Sequence, residues 1–105
     1  MLFVRALVMA YQRKIVLHCS RGYRMELDAM VEDFIRDGVA FIGVVGNDCA
    51  KVEDIIDELV VGDGSDESRT ILTSSHAGGS VDEAIFFAKS LTGKFAGEAV
   101  QVVEL

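Results

Sequence analysis

The chain has 105 residues, the size of one domain, with half of them hydrophobic and a formal net charge of −7. This composition excludes a disordered chain, which would be poor in aliphatic residues. It also argues against nucleic acid, because no basic stripe is present to meet a phosphate backbone. A membrane partner is likewise not expected: an anionic surface repels the charge, and no apolar run reaches the roughly 20 residues of a spanning helix. We therefore expect a single α/β domain over residues 1–105.

The first segment, Leu2 to Tyr11, is apolar, lacks a basic leader and carries Arg5 within the run, so it reads as part of the fold rather than a signal. Phe3, Val4 and Val8 favour an extra N-terminal strand, antiparallel to the next one or at a sheet edge; a short apolar helix is the alternative. Lys14 to Cys19 is the first clear strand. A helix follows from Tyr23 to Arg36, where Leu27, Met30, Val31, Phe34 and Ile35 repeat on one helical face, and Gly38 suits its C-terminal end.

Val39 to Gly46 is a near-continuous apolar run, the mark of a strand buried on both faces. The next helix spans Asp48 to Val61, with Asn47 or Asp48 as N-cap. Gly62 to Ser68 is a turn-rich loop, and Arg69 to Ser75 is the third strand. Ser80 and Glu83 form a capping box that starts a third helix, ending near Leu91. Glu98 to Glu104 is the fourth strand, after a turn over Thr92 to Gly97. The order β-α-β-α-β-α-β predicts a Rossmann-like or flavodoxin-like sandwich with a mostly parallel four-stranded sheet.

In open parallel sheets ligands bind beyond the carboxyl ends of the strands. That rim collects His18-Cys19-Ser20-Arg21-Gly22, Gly46-Asn47-Asp48-Cys49 and Thr73-Ser74-Ser75-His76-Ala77-Gly78-Gly79-Ser80. Both histidines and both cysteines fall there, whereas the opposite rim reads as turns only. The expected ligand-binding set is Ser20, Arg21, Gly22, Asn47, Asp48, Ser75, His76, Gly78, Gly79 and Ser80, for a small anionic ligand met by Arg21 and by helix N–H groups. A protein partner at the same rim is the other occupant.

Cys19 precedes a helix, where the dipole lowers a thiol pKa. Cys19-Ser20-Arg21-Gly22 resembles two phosphate-handling loops. The low-molecular-weight tyrosine phosphatases carry an Arg six residues after their Cys, where this chain has Met25. The phosphocarrier subunits of sugar phosphotransferase systems share the Cys-x-x-Gly spacing of Cys19 and Gly22, but Tyr23-Arg24-Met25-Glu26 replaces their hydroxyl-rich continuation. A thiol enzyme would use Cys19 as nucleophile, His76 as base and Asp48 as the third member. A buried structural thiol is the alternative for Cys19.

No Walker pattern and no Gly-x-Gly-x-x-Gly is present, and the Cys and His spacings match no zinc pattern, so neither a cofactor nor a metal is expected. Two cysteines make no disulfide framework and suit a reduced, cytoplasmic protein. The third helix already has a core stripe in Val81, Ala84, Ile85, Ala88 and Leu91. Phe86 and Phe87 widen it towards solvent, which points to an acidic, self-associating module and a homodimer.

Overall fold

The computed structural model describes residues 10–105, so the extra strand expected in the first segment lies outside the described residues. The elements are β1 (Lys14–Cys19), α1 (Glu26–Arg36), β2 (Phe41–Gly46), α2 (Cys49–Val61), β3 (Leu72–Ser75), α3 (Val81–Lys89), a 3-10 turn (Gly93–Phe95) and β4 (Gln101–Glu104). The four strands form one sheet in the order β3-β2-β1-β4, with every pair parallel. This is the small α/β sandwich that the alternation of elements predicts.

β1 is central, and Ile15, Val16 and Leu17 are fully buried. Successive strand residues point to opposite faces. Ile15, Leu17 and Cys19 therefore pack with Leu27, Val31 and Phe34 of α1 and Val52 and Ile56 of α2. Val16 and Val45 pack on the other face against Ala84 of α3. Each fully buried aliphatic side chain contributes about 1.5–3 kcal/mol, so this double-sided burial is what orders the layers. The chain moves from β1 to β3 in one direction, then returns past both to β4. A constant crossover hand then requires α3 on the face opposite α1 and α2.

Helix ends explain where the elements stop. Gly38, at φ +80°, closes α1: the Gly38 N–H donates to Ile35 O and the Val39 N–H to Phe34 O. That pattern satisfies two of the last carbonyls and packs Val39 under Phe34. β3 begins three residues later than the sequence suggests, because Arg69 turns back to cap α2. Its Nε donates to Val60 O at 2.9 Å and its Nη2 to Leu59 O at 2.9 Å. The same guanidinium grips Glu32 of α1 through both carboxylate oxygens, at 3.1 and 2.8 Å. This contact holds the Glu32 carboxyl below its ordinary range.

Lys14 does the corresponding work on the other face. It is buried, and its Nζ donates to Ala88 O at 2.7 Å, in the last turn of α3, and to Gly97 O. An ammonium on C-terminal carbonyls is favoured by the helix dipole. Replacing Lys14 by Met keeps the apolar stem and removes the donors. Loss of these charge-assisted bonds should lower the unfolding free energy by about 2 kcal/mol, read as a lower urea midpoint at unchanged slope; an unchanged midpoint would refute this role.

Candidate functional site

The β1–α1 and β2–α2 loops meet because Gly46 allows it. Its φ is +112°, and a β-carbon there would sit 2.5 Å from Cys19 O, which any other residue would have to displace. The Asn47 N–H donates to Cys19 O at 2.8 Å, and Asn47 Nδ2 donates to Ser20 O at 2.6 Å. Asp48 precedes α2 in a left-handed conformation (φ 53°, ψ 32°) and caps nothing with its side chain. Its carboxylate faces Gly22, where a β-carbon would lie 3.3 Å from Oδ2. Ser20, Gly22, Asn47 and Asp48 are thus brought together. Arg21 stands exposed beside them, with no ion pair or side-chain hydrogen bond among the described residues.

The three helix starts differ in what they offer an anion. The first turn of α1 carries Glu26 and Asp28. α3 has its capping box complete: the Glu83 N–H donates to Ser80 Oγ at 3.1 Å and the Ser80 N–H to Glu83 Oε1 at 2.8 Å. α2 alone of the three has neither a side-chain cap nor an acidic residue in its first turn.

Cys19 and Cys49 are both buried and free, and both belong to the core on the α1–α2 face. Burial, and secondarily Cys49 and Glu104, push the Cys19 thiol up to about 11. A thiol nucleophile needs the reverse shift. His76 lies on the other face, after β3. Its ring meets Phe87 edge-on at 5.0 Å, and Nε2 is 2.9 Å from Ser74 Oγ. A β-carbon on Gly43, which faces α3 with Phe41, would be 3.4 Å from that Nε2.

The sheet therefore separates His76 from Cys19, and Cys19, His76 and Asp48 are not assembled into one constellation. The cause is strand alternation, which turns Cys19 inward with Ile15 and Leu17. Ser74, two residues before His76 and on its face, is the hydroxyl that meets the imidazole. Ser75 shares the opposite face with its register partner Val44. Gly78 is exposed, and Gly79 donates its N–H to His76 O at 2.9 Å. His18 faces its register partner Glu104, with Nδ1 2.9 Å from Oε1. Sequence reading missed that pair because nothing local reveals that β1 and β4 are neighbours.

α3 packs over β1 and β2. On its outer side Phe86 is 76% exposed, and on its flank Phe87, whose ring meets Phe41 and His76, is 40% exposed. Leu72 on β3 and Val102 on β4 are also exposed, at 45% and 41%. A shallow depression of about 490 Å³ is lined by His76, Asp82, Glu83, Phe86, Phe87 and Ser90. A second concavity, of about 540 Å³, lies on the opposite rim, which the sequence assigned to turns.

Among the described residues no three His, Cys, Asp or Glu side chains gather as a metal site, and no helix is long and apolar enough to cross a membrane. The model of the family described as a domain of unknown function (DUF7684) matches residues 7–105. No curated protein and no solved structure matches the chain.

The raised Cys19 pKa has a signed consequence. Between about pH 9 and 11 the unfolded chain loses its Cys19 proton while the folded chain keeps it. The native state then binds more protons, so stability falls as pH rises through that window. Cys19→Ala should flatten this alkaline decline in thermal melts. Iodoacetamide at pH 7 should label Cys19 only slowly in the native protein and promptly once it is unfolded in urea. Fast native labelling would contradict the buried, neutral thiol.

Proposed function

The chain belongs to the DUF7684 family, and we propose that it is a non-catalytic interaction module that pairs with a second copy of itself through α3. The observation that carries this reading is Phe86, three-quarters exposed at the middle of a helix with acid at one end and base at the other. Asp82 lies four residues before Phe86 and Lys89 three residues after it, so the three share one stripe. Two copies of α3 crossing antiparallel at Phe86 would set Asp82 of each against Lys89 of the other. Lys89 has no ion pair among the described residues. Such a two-fold contact is self-complementary.

Sedimentation velocity at micromolar concentration tests this. Wild type should run as a dimer that tightens with salt, because two copies of charge −7 repel at long range. Phe86→Asp should run as a monomer. Asp82→Lys should weaken the dimer and the added Lys89→Asp should restore it. A wild type that stays monomeric at 100 μM defeats the reading.

A second reading rests on the N-terminus of α2 with Arg21, unpaired among the described residues, beside it: a small anion held by Arg21, Ser20 and the first N–H groups of α2. Millimolar phosphate should then raise the melting temperature of wild type and leave Arg21→Gln unmoved; equal responses would exclude Arg21. Both readings suit a cytoplasmic setting, in which Cys19 and Cys49 stay reduced.

A further inference from the structure

We infer that the rim at the amino ends of the strands holds a separate binding site for a small anion carried on an apolar body. The inference is independent of the α3 contact. It starts from the pairing of β1 with β4, which brings the approach to both strands together: the Gln12 N–H donates to Gln101 Oε1 at 3.0 Å. Arg13, just before β1, then meets the 3-10 turn that precedes β4. Arg13 Nη2 donates to Lys94 O at 3.1 Å, and Lys94 Nζ stands 5.3 Å over the Phe95 ring. Both cations and the ring line the 540 Å³ concavity.

The charge placement is what points to a ligand. Arg24, Arg36 and Arg69 each grip a carboxylate. Arg13 and Lys94 grip none among the described residues; Arg21, Lys51 and Lys89 share that lack, but Arg13 and Lys94 converge on one concavity, in a chain that carries 17 acidic side chains against 10 basic ones. The Arg13–Lys94 backbone bond uses one guanidinium nitrogen and fixes the fork at the cavity wall. The remaining N–H groups suit a carboxylate or phosphate, which a guanidinium binds through two parallel bonds. Ile35, Val39 and Ile71 supply apolar walls on the same cavity. Its volume lies within the roughly 300–1,000 Å³ typical of small-molecule sites. A bare inorganic ion would leave those walls unfilled, so the occupant is an amphipathic anion. The Ser68 hydroxyl is already given to Asp66 and takes no part.

The test is a titration of ¹⁵N-labelled full-length protein, followed by amide shifts, with phenyl phosphate and 3-phenylpropanoate in separate arms and inorganic phosphate as the comparison. The amides of residues 38–40, 70–72 and 93–96 should move with at least one aromatic anion. Inorganic phosphate should bind at least tenfold more weakly. Arg13→Gln combined with Lys94→Gln should raise the dissociation constant at least tenfold with the rest of the spectrum unchanged, since both side chains are exposed. Binding of one aromatic anion and not the other identifies the head group. Absence of shifts with both, shifts centred on residues 20–22 and 47–50, or equal affinity in the double variant would overturn the inference.

Discussion

The pairing of β1 with β2 on one side and β4 on the other is the constraint from which the rest of the molecule follows. A strand flanked on both edges and roofed on both faces has no polar surface to offer, which is why Ile15, Val16 and Leu17 are all fully buried. The same arrangement makes the chain reverse direction after β3 and carries α3 to the face opposite α1 and α2. It also creates contacts that no local pattern announces: His18 with Glu104, Gln12 with Gln101, and Arg13 with the Lys94 turn.

Two cations fasten the layers to this strand system, each by capping the C-terminal end of a helix. Lys14 holds the end of α3 and the approach to β4, and Arg69 holds the end of α2 and, through Glu32, the flank of α1. α2 has no basic residue in its own last turn, so its cap comes from the loop beyond it. The energetic distinction between the two is solvent. Lys14 is shut away from water, so its bonds are of the expensive-to-lose kind. The Arg69–Glu32 pair lies at the surface, and its bidentate shape matters more for fixing the loop than for net stability.

The polar rim at the carboxyl ends of the strands divides along the sheet plane. Ser20, Gly22, Asn47 and Asp48 form one tight junction where Gly46 lets the backbones touch, while His76 belongs with Phe41, Ser74 and Phe87 on the far face. Polar residues that sort to one end of a sheet in sequence thus need not converge on one ligand. Chemistry that depends on Cys19 is further set back by burial, which keeps that thiol neutral. What remains free to act is peripheral: the Phe86 stripe, Arg21 beside an uncapped helix start, and the Arg13–Lys94 wall.

By itself the sequence determined the element order, the parallel α/β architecture, the Ser80–Glu83 capping box and the surplus of apolar side chains that Phe86 and Phe87 add to α3. Each of these is set by local chemistry: apolar period, a helix start motif, or too many apolar residues for one helical stripe. Only the tertiary structure decided which strands are neighbours, which side of the sheet each polar residue takes, and where the cations are paired. Those outcomes rest on contacts between residues dozens of positions apart. Arg69 lies outside the strand that its sequence suggests and caps α2 instead, whereas Lys14 begins β1 as expected and is in addition a buried clasp. In both cases the partner is a set of backbone carbonyls, and carbonyls carry no residue-type signature in a sequence.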